Sequence, residues 1–150
     1  MTNLKIGDNA PQINSKDNNG NIFLLSSLKG FKVVLYFYPK DNTPGCTAQA
    51  CNLRDNYQLL LSKGYKVIGV SVDDENSHNK FIKKYDLPFP LIVDTDKKIV
   101  NDYGVWGNKK FMGKEYMGTI RTTFIVSEEG KIEDIIKEVD TKNHTNQIIK

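Results

Sequence analysis

The chain has 150 residues, of which 39% are hydrophobic and 26% are charged, proportions typical of a globular protein with a buried core. The net charge is +3, and acidic residues are interspersed among the lysines, which argues against a nucleic-acid-binding protein. No apolar run is long enough to span a membrane, and no signal-peptide pattern follows Met1. We therefore expect a cytoplasmic protein that does not bind membranes.

The first forty residues predict a hairpin followed by a buried strand. We expect strands around residues 12–15 and Ile22–Leu24, joined by a turn of polar residues and Gly. A single helical turn that ends at Gly30 follows. Residues 31–38 are almost continuously apolar and rich in β-branched and aromatic side chains, which favours a strand buried on both faces.

Strand composition then changes to helix composition within a few residues. Pro39 ends the strand because it has no backbone N–H to donate. Thr43 and Pro44 are typical of an N-cap and a first helical residue, and the helical composition continues to Lys63. Cys46 is therefore expected in the first helical turn, where free N–H groups and the helix dipole favour an anion. The sequence predicts a nucleophilic thiolate at Cys46.

A second thiol, Cys51, follows Cys46 after four intervening residues. In a straight α-helix this separation places the two Cα atoms about 8.6 Å apart, whereas a disulfide requires at most about 6.8 Å. The two thiols should therefore stay free while the helix is intact and form a disulfide only if its first turns unwind. For either cysteine taken alone, the alternative of a small buried hydrophobic residue stays open.

The rest of the chain alternates between strand and helix patterns. In chain order we expect a strand at residues 66–72, a helix at 76–85, a strand at 90–93, a short helix at 97–103, an irregular segment at 105–118, a hairpin of 122–126 with 131–136, and a last helix from Thr141 to Lys150. This order predicts an α/β fold with a central mixed β-sheet, helices on both faces and an N-terminal β-hairpin. We expect one domain, residues 1–150.

The stretch around Cys46 resembles the active-site loop of the peroxiredoxins. Pro39 and Thr43-Pro44-Gly45-Cys46 match the pattern Pro-x-x-x-Thr-x-x-Cys. The position of Cys51 resembles the Q-type subfamily, the bacterioferritin comigratory proteins. The likeness covers nearly the whole chain and includes the segments at residues 10–11, 69–73, 103–107 and 118–124. The resemblance implies a thioredoxin-like fold and an antioxidant thiol peroxidase.

For the two thiols, the resemblance implies consecutive roles. Cys46 would be the peroxidatic nucleophile that reduces hydrogen peroxide or an organic hydroperoxide and becomes a sulfenic acid. Cys51 would be the resolving thiol, and the resulting intramolecular disulfide would be reduced by thioredoxin or a similar dithiol. Members of the subfamily are commonly monomers and need no metal, haem or flavin, so we expect a monomer without a cofactor.

The resemblance also implies roles for residues around the thiol. Arg121 would stabilise the thiolate and the charge that develops on the peroxide oxygens. Thr43 would hydrogen-bond the peroxide or the sulfur, Gly45 would line the substrate site, and Pro39 would shield the sulfur from water. Simpler alternatives are a surface arginine, an N-cap threonine and a strand-ending proline. Gln49 stands where many relatives carry Glu, which puts an ion pair at this position in doubt.

Three other functions are alternatives to a peroxidase. A thioredoxin-type dithiol oxidoreductase normally carries Cys-x-x-Cys, and a copper-binding chaperone of related fold carries Cys-x-x-x-Cys with a well-placed His; neither spacing occurs here. A redox sensor that transmits helix unwinding to a partner stays possible as a second role. His78 and His144 lie far from both cysteines in sequence, which argues against a zinc-type site.

Overall fold

The structure, a computed structural model, describes residues 2–149. The strands are β1 (Asn14–Asp17), β2 (Ile22–Leu24), β3 (Lys32–Phe37), β4 (Tyr65–Ser71), β5 (Leu91–Val93), β6 (Trp106–Phe111), β7 (Lys114–Thr119), β8 (Thr122–Val126) and β9 (Ile132–Ile136). The helices are α1 (Pro44–Asp55), α2 (Tyr57–Ser62), α3 (Glu75–Tyr85), α4 (Lys98–Asp102) and α5 (His144–Ile148), with a short 3₁₀ helix at Leu25–Leu28. Within residues 2–149, every helix falls short of the length and apolar character needed to cross a bilayer.

Seven strands form one mixed sheet in the order β2-β1-β5-β4-β3-β8-β9. The central strand β3 pairs in parallel with β4 and antiparallel with β8. Alternate β3 side chains belong to two separate cores, one of which also receives side chains from α4 and the other from α1, α2, α3 and α5. The predicted mixed sheet with helices on both faces and an N-terminal hairpin is confirmed, as is the burial of β3 on both faces.

The prediction of an irregular segment at residues 105–118 is wrong. This segment forms a second hairpin, in which β6 and β7 pair antiparallel from Trp106↔Thr119 to Phe111↔Lys114. Its turn consists of Met112 and Gly113, which have φ angles of +52° and +81°. Two-residue hairpin turns with positive φ favour Asn-Gly or Asp-Gly, so a turn that begins with Met gives little sequence signal.

Other predicted boundaries shift by a few residues. The first strand begins at Asn14 rather than at residue 12. The helix predicted to reach Lys63 is interrupted at Asn56, whose side-chain amide donates to the Asn52 carbonyl at 2.8 Å, a bond of the kind that bends helices. The last helix begins after Asn143 rather than after Thr141, and its predicted end at Lys150 lies outside the described residues.

Two buried tyrosines, Tyr36 on β3 and Tyr38 just after its end, provide a matched stability test. Tyr38 Oη donates to Asp41 Oδ1 at 2.6 Å, whereas Tyr36 Oη has no partner among residues 2–149. Burial raises the pKa of both phenols well above its ordinary value. We expect Tyr38→Phe to lower the free energy of unfolding by about 1.5–3 kcal/mol, because a hydrogen bond to a charged group is lost. Tyr36→Phe should leave it unchanged or raise it by about 1 kcal/mol. Urea denaturation measures both, and equal losses would contradict this difference.

Candidate active site

The candidate nucleophile lies where the central strand passes into α1. Thr43 occupies the N-cap position with extended backbone angles, and Pro44 is the first helical residue, as predicted. Cys46 follows in the first helical turn and is 1% exposed. Cys46 therefore lies beyond the carboxyl end of β3, in the helical turn whose backbone N–H groups have no intrahelical acceptor. In open α/β sheets this is the edge where ligands bind.

Arg121 brings a positive charge to this sulfur. It immediately precedes β8, the antiparallel neighbour of β3, and its Nη2 donates to Cys46 Sγ at 3.4 Å. Gly45 permits this approach, because a Cβ atom at that position would lie 3.1 Å from Arg121 Nη2. A guanidinium at this distance can stabilise negative charge that develops on the sulfur or on a bound oxygen during a reaction.

Gln49 orients the other side of the guanidinium. Its Oε1 accepts from Arg121 Nη1 at 2.7 Å, and the whole residue is buried. Because an amide is neutral, this contact fixes Arg121 without cancelling its charge, and the ion pairs of residues 2–149 do not include Arg121. The fork of one guanidinium thus joins Gln49 to Cys46, a geometry that lysine cannot provide.

The hydroxyl of Thr43 does not play the alternative part of an N-cap, and its predicted hydrogen bond to the peroxide or to the sulfur stays a prediction. It makes no N-cap hydrogen bond to α1 and instead donates to the carbonyl of Lys40 at 2.9 Å, which stabilises the loop before the helix. The backbone carbonyl of Thr43 still accepts the first helical hydrogen bond, from Thr47 N. Pro39 is half-buried just after the strand, and its shielding of the sulfur stays a prediction.

Cys51 lies on the same intact helix, half-buried, and both cysteines are free. This agrees with the expectation that the two thiols remain unpaired while α1 is helical. Whether they pair when α1 unwinds stays a prediction.

Hydrogen bonds hold the part of α1 that follows Cys51. Asn52 Oδ1 accepts from both the backbone N and Oγ1 of Thr145 at 2.8 Å, and Asn52 Nδ2 donates to the Lys142 carbonyl at 2.9 Å. Arg54 Nη1 donates to the carbonyl of Tyr85, at the end of α3, at 2.7 Å. The second half of α1 is therefore attached to both the C-terminal segment and α3.

The two histidines are buried in separate hydrogen-bonded clusters. His78 contacts Asp41, a residue of the active-site loop, at 2.7 Å. His144 Nε2 lies 2.8 Å from Thr123 Oγ1. Within residues 2–149, no three potential metal ligands come together. The Asp41–His78 contact was missed by sequence reasoning, because neither residue lies in a recognisable motif with the other.

Residues 6–135 match the model of the AhpC/TSA family. Peroxiredoxin Bcp of Bacillus subtilis is 42% identical to this chain over 146 residues, which is 97% of this chain and 93% of the relative. Peroxiredoxin Bcp of Escherichia coli is 42% identical over 149 residues, which is 99% of this chain and 96% of the relative.

Solved structures of peroxiredoxins are also similar to this chain. Peroxiredoxin Q of Xanthomonas campestris superimposes with a TM-score of 0.86 at 30% identity, covering 98% of this chain and 93% of that one. The peroxidoxin BcpB of Mycobacterium tuberculosis gives a TM-score of 0.85 at 31% identity, with coverages of 96% and 93%. With the thiol, the guanidinium and the sheet arranged as described, these matches confirm the predicted resemblance. The chain belongs to the AhpC/TSA family and, within it, to the Bcp or Q-type peroxiredoxins, which are peroxidase oxidoreductases of thioredoxin-like fold.

Proposed function

We propose that this protein reduces hydrogen peroxide and organic hydroperoxides through Cys46, with Cys51 as the resolving thiol and thioredoxin or a similar dithiol as the reductant. The observation that carries the proposal is the contact of 3.4 Å between Arg121 Nη2 and a sulfur buried in the first turn of α1. Support for organic hydroperoxides comes from the Xanthomonas campestris bacterioferritin comigratory protein, described as having alkyl peroxide reduction activity, with 29% identity and a TM-score of 0.89.

In the proposed first step, the Cys46 thiolate attacks one oxygen of the peroxide. The O–O bond breaks, the second oxygen leaves as water or alcohol after taking up a proton, and sulfur is oxidised to a sulfenic acid. Arg121 would stabilise both the attacking sulfur and the negative charge on the departing oxygen. The neutral Gln49 would keep the guanidinium in place during this step.

In the proposed second step, the first turns of α1 unwind and the Cys51 thiolate attacks the sulfenic sulfur. The S–O bond breaks, the hydroxyl group leaves as water after taking up a proton, and the Cys46–Cys51 disulfide forms. An external dithiol then reduces this disulfide and becomes oxidised itself. Thioredoxin, a monomeric state, the cytoplasmic location and the single-domain organisation are proposals that follow from the family resemblance and the sequence.

The test is to add one equivalent of hydrogen peroxide to the reduced protein and record free thiols and intact mass. We expect the parent chain to lose both thiols and two hydrogens. The variant Cys51→Ser should stop at a single added oxygen on Cys46, which a sulfenic-acid probe will trap. A parent chain that keeps both thiols would contradict the peroxidase step, and a Cys51→Ser variant that still loses two hydrogens would contradict the resolving role alone.

A further inference from the structure

A buried carboxylate fixes the loop that leads from β3 to Cys46. The side chain of Asp41 is 3% exposed. Its Oδ1 accepts from Tyr38 Oη at 2.6 Å, and its Oδ2 accepts from Ser77 Oγ at 2.8 Å. His78 Nδ1 lies 2.7 Å from the same Oδ2. Groups from the end of the central strand and from α3 thus converge on a single carboxylate of the active-site loop.

The partners of His78 determine where its protons lie. Nε2 lies 2.9 Å from the carbonyl oxygen of Ile92, which can only accept, so Nε2 carries a hydrogen. A second hydrogen must lie between Nδ1 and Asp41 Oδ2, because two lone pairs at 2.7 Å would repel each other. Both oxygens of Asp41 already accept from hydroxyls, Oδ1 from Tyr38 and Oδ2 from Ser77, which is the hydrogen-bonding pattern of a carboxylate. We therefore assign the second hydrogen to Nδ1, which makes His78 an imidazolium.

The electrostatic surroundings agree with this assignment. Burial lowers the pKa of His78, but the hydrogen bond and charge of Asp41 outweigh it, and the pKa is raised above its ordinary value. The Ile92 carbonyl on β5 and the charge of Asp73, in the segment after β4, act in the same direction. Burial raises the pKa of Tyr38, so this residue, which directly follows β3, remains a neutral donor.

Further hydrogen bonds join the loop to α3 and to the segment that precedes it. The backbone N of Asp41 donates to Asp73 Oδ2 at 2.8 Å. The next residue, Asn42, has a left-handed φ of +59°, and its Oδ1 accepts from Tyr85 Oη at 3.1 Å. Thr43 then begins α1. Contacts near both ends of α3 therefore set the course of the chain immediately before the helix that carries Cys46.

We propose that His78 is a positioning residue for peroxide reduction: its ion pair with Asp41 holds the loop at residues 39–43 and so aligns Cys46 with Arg121. The inference rests on the proposed role of Cys46. His78 acts through the loop and is not a catalytic residue. Only the protonated imidazole can donate to Asp41 while it also donates to Ile92, so the alignment requires the proton.

Because the alignment of Cys46 requires a protonated His78, it should be lost at alkaline pH. Because the folded pKa of His78 is raised above its ordinary value of about 6.5, the stabilisation by the pair is fully present below that pH and is lost as pH rises through the folded pKa. We therefore expect the rate of Cys46 oxidation to fall at alkaline pH. Deprotonation of a thiol changes the rate in the opposite direction, so Cys46 itself cannot produce this fall.

The experiment measures the second-order rate of reaction with hydrogen peroxide from pH 6 to 9.5 by stopped flow, on the full chain and on His78→Asn. The asparagine amide can donate to Asp41 but does not titrate. We expect the parent rate to fall roughly tenfold or more through the midpoint of the His78 titration, because small displacements of reacting groups cost this much. His78→Asn should not show the fall. His144→Asn is the matched control, since it also replaces a buried histidine, and it should retain the fall.

Two further measurements do not depend on peroxide. Nitrogen-15 NMR should show His78 doubly protonated at pH 7, and amide hydrogen exchange of residues 44–47 should accelerate beyond its intrinsic pH dependence at the same midpoint in the parent only. Neutral His78 at pH 6, an unchanged rate through its titration, or a fall retained in His78→Asn would each overturn the proposal. An unreactive Cys46 with the expected exchange behaviour would instead count against the proposed function.

Discussion

Replacement of Cys46 by Ser is expected to lower the rate of peroxide reduction by about 10³-fold or more, to the background of the remaining thiol. The oxygen of Ser is a far weaker nucleophile at neutral pH than a thiolate, and Arg121 cannot compensate, because it stabilises an anion that Ser does not form. The measurement is peroxide consumption with an excess of a dithiol reductant, together with intact mass after one equivalent of peroxide.

The matched control is Cys51→Ser, which removes the other thiol of α1. Under single-turnover conditions it should keep the fast first step, because in the proposed mechanism Cys51 enters only after the sulfenic acid has formed. If Cys46→Ser retained rapid peroxide consumption while Cys51→Ser lost it, the two proposed roles would have to be exchanged.

Replacement of Arg121 by Met is expected to slow the reaction of Cys46 with peroxide by about 10²–10³-fold, the usual loss when a preorganised charged donor is removed. Arg121→Lys should recover only part of this loss. An ammonium retains the charge, but it cannot donate in parallel to Cys46 Sγ and to Gln49 Oε1, which Arg121 contacts at 3.4 Å and 2.7 Å. Stopped-flow rates with hydrogen peroxide measure both variants.

Arg54 offers the control for loss of an arginine. Its Nη1 donates to the Tyr85 carbonyl at the end of α3 and not to the sulfur, so Arg54→Met should lower the stability of the fold by about 1–3 kcal/mol and leave the rate with peroxide near that of the parent. Equal losses of rate in Arg54→Met and Arg121→Met would show that general destabilisation, rather than a charge beside the sulfur, explains the effect.

The sequence predicted best what depends on local signals. The apolar run at residues 31–38 and the turn-forming residues after it placed Cys46 correctly in the first turn of α1, because strand burial and helix capping are encoded within a few residues. The β6–β7 hairpin was missed because Met112 stands in its turn with positive φ and four exposed apolar side chains obscure any alternation, namely Phe111, Met112, Tyr116 and Met117.

The contacts that complete the site depend on the tertiary structure. Sequence reasoning placed Arg121 beside the sulfur only through the family resemblance, because no local sequence pattern predicts that β8 pairs with β3. The Asp41–His78 pair had no signal at all: an aspartate in a turn and a histidine on a helix are ordinary, and only the packing of α3 against the loop joins them.

The hydrogen bonds of Asn52 to the C-terminal segment determine which cysteine has to move for the proposed disulfide to form. Cys51 immediately precedes a residue bonded to Thr145 and Lys142, so it belongs to the fixed half of α1, and Cys46 must make the approach. To do so it must leave Arg121. The proposed oxidation needs the sulfur beside the guanidinium and the proposed resolution needs it elsewhere, so the two half-reactions cannot share one conformation. The interval between them is the period in which a sulfenic acid that stays folded beside Arg121 can meet a second peroxide.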